Sequence, residues 1–360
     1  MNQQQQQQTT DWNKNVALII LSPIIDINDS SLITDIDHDD DYFDYRIYLQ
    51  HLERHEKISP DISYDKLPRM NLSDDDFHRD WIASIDWLRR DPSVEKVKFQ
   101  NVPMIHDRST VCGDYGEYHQ DVLLALRICA LRCLFNEIGI LPNHCNFDKF
   151  DDWLDKCRKD WQIFRRLYTA NNSLQINFDE IELYEWWNWL TPTSVGRSPR
   201  YDTLYYLVIL KESFQKIQTL SRHGHWISLD QIPSLILPPN DCYELTCLSR
   251  FHQINQLKLY MRLEYPRIPI KRWIPFIEFY QDGCISYLPG DQFYPNHVPI
   301  IPIAPPNFNT NITMIQRRSL SMNRIEHHGL KYQIVVSGAK ISDHYHHIPY
   351  TKISNVISKL

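Results

Sequence analysis

Two stretches near the C-terminal end collect metal-binding side chains. SDHYHHIPY (342–350) sets Asp343, His344, His346 and His347 close together, and RIEHHGLKY (324–332) adds Glu326, His327 and His328. Imidazole nitrogens with a carboxylate are the donor types that hold zinc or iron. If the chain turns back between Gly338 and Ala339, strand alternation puts His344 and His346 on one face. Cross-strand pairing carries His327 to that face, while His328, Asp343 and His347 share the other. The candidate metal set is therefore His327, His344 and His346, with zinc or iron as the ion. The competing reading is compositional: the chain has 16 histidines, and such a chain places histidines on ordinary surface hairpins too.

A second candidate is Cys112 in VCGDYGEY (111–118). A thiol just ahead of a helix N-terminus meets partial positive charge, which favours the nucleophilic thiolate. A cysteine hydrolase also needs a histidine base, and His106 and His119 are near in sequence. Most cysteines before helices are inert, and no family signature surrounds this one. The aromatic cluster EWWNW (185–189) has the stacking surface for a sugar or base, though core packing explains it as well. Arg317, Arg318 and Arg324 surround Ser319 and Ser321 in a basic loop suited to phosphorylation or simply to solvent.

The scarcest residue excludes most nucleotide chemistry by motif. Only nine of 360 residues are glycine, against about 7% in average proteins. Phosphate-cradling loops need clustered glycines, and the nearest pair here is Gly113 and Gly116. No dinucleotide fingerprint, Walker loop, nucleophile elbow or His-Glu-x-x-His occurs. The run at Asp35, Asp37 and Asp39 fails as a calcium loop, because Asp40 stands where glycine is required. A net charge of −7 argues against a dedicated nucleic-acid binder. No run approaches the ~18 apolar residues of a membrane span. The eight cysteines form no Cys-x-x-Cys and read as free thiols of a reducing compartment, cytoplasmic or nuclear.

The elements that would position these groups read as follows. Residues 1–15 are a glutamine-rich tail and 16–110 a mixed α/β region, with Val16–Leu21 a buried strand and 42–58 a helix. Ser73 and Asp76 form a capping box. Residues 111–265 are expected to be a helical body of about five helices: 115–138, 147–168, one holding the tryptophans 186, 187 and 189, 201–221 and 242–263. Residues 266–360 read as β-rich, with a proline-rich segment at 289–306 and an Asp282-Gly283 hairpin. The expected class is α+β, predominantly helical in the middle, with a β-hairpin-rich C-terminal region. On motif absence alone, the first functional reading is a non-enzymatic intracellular protein-interaction or scaffold protein with protein partners and no membrane. Beside it stand a metal-dependent enzyme using the histidine cluster or a cysteine-based hydrolase, and third a nucleic-acid-binding protein.

Overall fold

Val16–Leu21 is the middle of the first strand, β1 (Asn13–Pro23), and all six residues are fully buried. The structure is a computed structural model and describes residues 13–25, 42–52, 63–78, 80–81, 120–139, 150–169, 182–192, 200–217, 224–265, 270–296, 298, 307–309, 311–329, 331–339 and 353–354. β1 runs parallel to β6 (Tyr201–Ile209), in register from Asn13 opposite Tyr201 to Leu21 opposite Ile209. On its other edge β1 pairs first with β4 (Arg69–Asn71) and then with β2 (Tyr45–Leu52), both antiparallel. β3 (Tyr64–Lys66) and β7 (Gly224–Ile227) extend β2, while β5 (Leu183–Leu190) and β8 (Arg272–Trp273) extend β6.

Alternation along the central strands feeds two cores. Ala17, Ile19 and Leu21 join Tyr205, Leu207 and Ile209 in one; Val16, Leu18 and Ile20 join Leu204, Tyr206 and Val208 in the other. The second core is closed by helices α1 (Gln120–Ile138), α2 (Phe150–Lys159) and α3 (Trp161–Thr169), through Leu126, Leu134, Leu154 and Phe164 among others. The first is closed by α4 (Pro239–Leu248) and α5 (Ile254–Leu263) together with a second sheet. That sheet has the order β11 (Asn307–Asn309), β9 (Phe276–Tyr280), β10 (Gly283–Tyr287), β12 (Met322–His328), β13 (Lys331–Ser337), β14 (Ile353–Ser354). Both sheets are mixed: β1–β6, β5–β8 and β9–β11 are parallel pairs.

This sheet-based architecture corrects the expectation of a predominantly helical middle. YDTLYYLVI and LYEWWNWL are strands, and so is the core of the helix expected at 42–58. A strand buried on both faces carries no polar alternation, so its apolar run imitates a buried helix. Aromatic and β-branched content was the cue that favours the strand. From Phe150 onward the expected seam does become helical, but as two helices parted at Asp160, whose carboxylate accepts the Gln162 N–H at 3.0 Å. Residues 242–263 likewise divide into α4 and α5. The Ser73–Asp76 capping box forms, on a short 3-10 turn spanning Asp74–Phe77.

β5 holds an irregularity that explains its three tryptophans. Leu183 and Glu185 face α1, but the register to β6 shifts between Glu185 and Trp187. An inserted residue flips the parity of everything beyond it. Trp186, Trp187 and Trp189 consequently all enter the core on the opposite side. The indole N–H groups of Trp186 and Trp189 each donate to a different oxygen of buried Glu244, both at 2.6 Å. EWWNW is thus a core anchor.

A hairpin forms after residue 273 as expected, but its two turn residues are Gln281 and Asp282 rather than Asp282 and Gly283, which begins β10. Gly283 follows because a Cβ there would lie 2.0 Å from the His327 carbonyl oxygen. Gly329, at φ +64°, turns β12 into β13.

Candidate active site

Helix α1 is apolar around most of its girth, yet it carries three buried charges: Arg127, Arg132 and Glu137, each 2–3% exposed. Buried charges need partners, and these partners define the face of α1 that meets the first sheet. Arg127 donates to Glu185 of β5 at 3.2 Å. Arg132 grips Asp76 through two bonds, at 3.0 and 2.7 Å, and donates to the Asn71 carbonyl at 2.8 Å. Its guanidinium also lies 4.9 Å from the centre of the half-buried Trp161 ring. Beside it, Arg165 donates to Asp75 at 2.8 Å.

Glu137 is different, because its carboxylate meets amides rather than a guanidinium. Gln50 of β2 donates to Oε2 and Asn136 donates to Oε1, both at 2.8 Å. The last turn of α1 is then closed by further donors. Arg158 of α2 binds the Asn136 carbonyl at 2.6 Å and its side-chain oxygen at 3.1 Å, and Gly139 takes the positive φ of a helix end. A cation at a helix C-terminus is favoured by the helix dipole. Cys133 lies one turn before Glu137, and positions 133, 136 and 137 share a face.

Burial sets the electrostatics of this corner. It pushes the Cys133 thiol well above its usual range, with the Glu137 and Cys129 charges adding to the effect, so Cys133 stays a thiol. Cys129 is raised for the same reason, and its sulfur lies 3.4 Å from the Asn71 carbonyl. Lys66 of β3 is lowered by burial first and then by Arg69, while Asp241, Glu137 and Cys133 oppose the shift. Arg69 itself pairs with buried Asp241. On the sheet's opposite side, His51 and His225 flank one oxygen of Asp65 at 2.9 and 3.6 Å.

Of the sequence-derived candidates, His327 is the one among the described residues. His327 is on β12 between β10 and β13, and its Nε2 sits 3.1 Å from the Ser286 hydroxyl. Burial, with the neighbouring His328, pushes its pKa down to about 4. Cys112, His344 and His346 lie outside the described residues. Among the described residues the free cysteines are 129, 133, 157, 242, 247 and 284. Sequence reasoning missed Glu137, Arg132, Gln50 and Lys66. The available signal was the presence of charges inside an otherwise apolar helix, which only paired burial can sustain.

A buried helix bearing arginines and a glutamate, laid on a mixed sheet, fits the family that comparison identifies. The chain belongs to the family described as NUDT19 Nudix domain, whose profile matches residues 12–239. It is 27% identical over 285 residues to a Xenopus laevis protein named acyl-coenzyme A diphosphatase NUDT19, covering 70% of this chain and 72% of that protein. The Homo sapiens protein of the same name is 28% identical over 223 residues, covering 55% of this chain and 57% of the human one. A NUDIX hydrolase from Alicyclobacillus acidocaldarius overlays with a TM-score of 0.44 and 13% identity, across 70% of this chain and 96% of that one.

Family membership overturns the first functional reading, a non-enzymatic interaction or scaffold protein. The enzyme reading set beside it is the better supported. Nudix hydrolases use a divalent cation, magnesium or manganese, so a metal is implied in that coarser sense, with nothing pointing to zinc or iron. The residues described do not fit one. No group of three or more His, Cys, Asp or Glu side chains among them could hold a metal ion. Of the buried carboxylates beside α1, Asp76 and Glu185 are held by arginines and Glu137 by two amides.

Proposed function

We propose that this chain acts on the diphosphate of a coenzyme A thioester. The observation that carries the reading is the family match over residues 12–239, which takes in the whole first sheet apart from β8 and all of α1 to α3. The relatives' name, acyl-coenzyme A diphosphatase, supplies the substrate class. In such a reaction water adds across the P–O–P anhydride, and two phosphate monoesters are released.

The test incubates purified chain with an acyl-CoA and Mg²⁺ or Mn²⁺, then separates the products by anion-exchange chromatography and mass spectrometry. The expected products are adenosine 3′,5′-bisphosphate and the acyl-phosphopantetheine, with one oxygen from ¹⁸O-labelled water in one of them. Acyl-CoA is also expected to raise the thermal midpoint, by the usual linkage of binding to folding. Neither products nor a shift, at acyl-CoA up to about 1 mM, overturns the proposal.

A further inference from the structure

We infer that the C-terminal end of α1 holds no divalent cation in this chain, and that Glu137 there is a structural carboxylate tying the helix to β2. Three observations meet at this point. First, the face formed by positions 133, 136 and 137 has only one acid, since the other two side chains are a thiol and an amide. A magnesium or manganese ion wants several hard oxygen donors, commonly carboxylates. Second, both oxygens of Glu137 already accept amide N–H groups, from Gln50 and Asn136 at 2.8 Å each. An ion would have to displace both, and the freed Gln50 and Asn136 amides would lose their acceptor. Third, the group one turn before is held as a neutral thiol by burial, and the Lys66 ammonium is within electrostatic reach of Glu137. A second positive charge would be repelled there.

The neighbouring acids do not make up the deficit. Asp75 and Asp76 are engaged by Arg165 and Arg132, and Glu185 by Arg127. If Asp76 turned to a metal, it would leave the buried Arg132 guanidinium without its carboxylate. Any cation used in diphosphate hydrolysis must accordingly be held by donors outside the last turn of this helix. The inference stands on the side chains of α1 and β2, whichever substrate the chain takes.

The test titrates the full-length chain with Mn²⁺ alone and reads free Mn²⁺ by electron paramagnetic resonance, so it is independent of acyl-CoA turnover. The wild type is expected to leave the signal undiminished at chain concentrations up to about 1 mM. Uptake of one equivalent that Glu137→Gln abolishes, with the variant's circular dichroism unchanged, overturns the inference. Uptake that Glu137→Gln leaves intact puts the ion elsewhere and supports it. Should Glu137→Gln fail to fold, one equivalent of Mn²⁺ that raises the wild type's thermal midpoint and broadens the nuclear magnetic resonance signals of the Gln50 and Asn136 amides overturns it equally.

Discussion

Replacing Arg132 by methionine removes the guanidinium and keeps most of the stem's volume, so the loss isolates the charge. Arg132 and Asp76 are 3% and 2% exposed. The substitution deletes the two bonds to Asp76 and the one to the Asn71 carbonyl, leaving Asp76 with the Ser73 backbone N–H at 2.8 Å and its hydroxyl at 3.4 Å. Breaking a buried pair from one side costs about 3–5 kcal/mol, because the remaining charge is uncompensated. That is a large part of the roughly 5–15 kcal/mol that holds a typical domain together. Urea unfolding should show a lower midpoint at an unchanged m-value. The pH dependence gives an independent check. Burial already raises the Asp76 carboxyl and Arg132 opposes the rise. Without Arg132 it rises further, so protonation neutralises the buried charge as pH falls through the raised value. The deficit should be full near neutrality and should shrink in mild acid. Changing Asp76 to leucine in the same chain should recover about 1–3 kcal/mol, since no orphaned charge remains. A single-variant cost below about 1 kcal/mol, or a deficit equal at pH 4.5 and 7.5, refutes the reasoning.

Glu244→Ala takes the acceptor from two buried indoles and should cost about 2–5 kcal/mol, visible by calorimetry together with a shift in tryptophan emission. Gly283→Ala would push a methyl into the His327 carbonyl and should lower stability by about 1–3 kcal/mol; a neutral result means the β10–β12 approach is looser than described. His327 titrates near 4 in the folded chain against 6.5 when unfolded, so its contribution is full above pH 6.5 and is lost as pH falls toward 4. His327→Phe should flatten the stability profile across that window, as measured by urea midpoints at each pH.

Some of this architecture could be read directly from the chain. Val16–Leu21 announced a buried strand, Ser73 and Asp76 a cap, and the apolar girth of α1 a core helix. β5 and β6 could not be told from helices, because strands buried on both faces lose the alternation that marks a strand. The bulge at Trp186 hid the pattern further by setting 186, 187 and 189 on one side. The site was less legible than the fold. Glu137 meets Gln50 across 87 positions and Arg132 meets Asp76 across 56, so no local spacing brings them together. The histidine runs drew notice instead because their donors are adjacent in sequence.

The parallel pairing of β1 with β6 imposes an order of events on a chain emerging from the ribosome. β1 is made before Tyr201–Ile209, which pairs with it along one edge from Asn13 to Leu21 and comes roughly 190 residues later. At about 5–20 residues per second this is a wait of roughly 10–40 s. During it one edge of VALIIL has no permanent neighbour, and such a run is a template for pairing with other chains. β2 and β4 arrive within some 60 residues and can shelter the opposite edge first. Nascent chains stalled before residue 200 should therefore aggregate or be held by chaperones. Chains extended past residue 210 with room to clear the exit tunnel should gain protease resistance in β1.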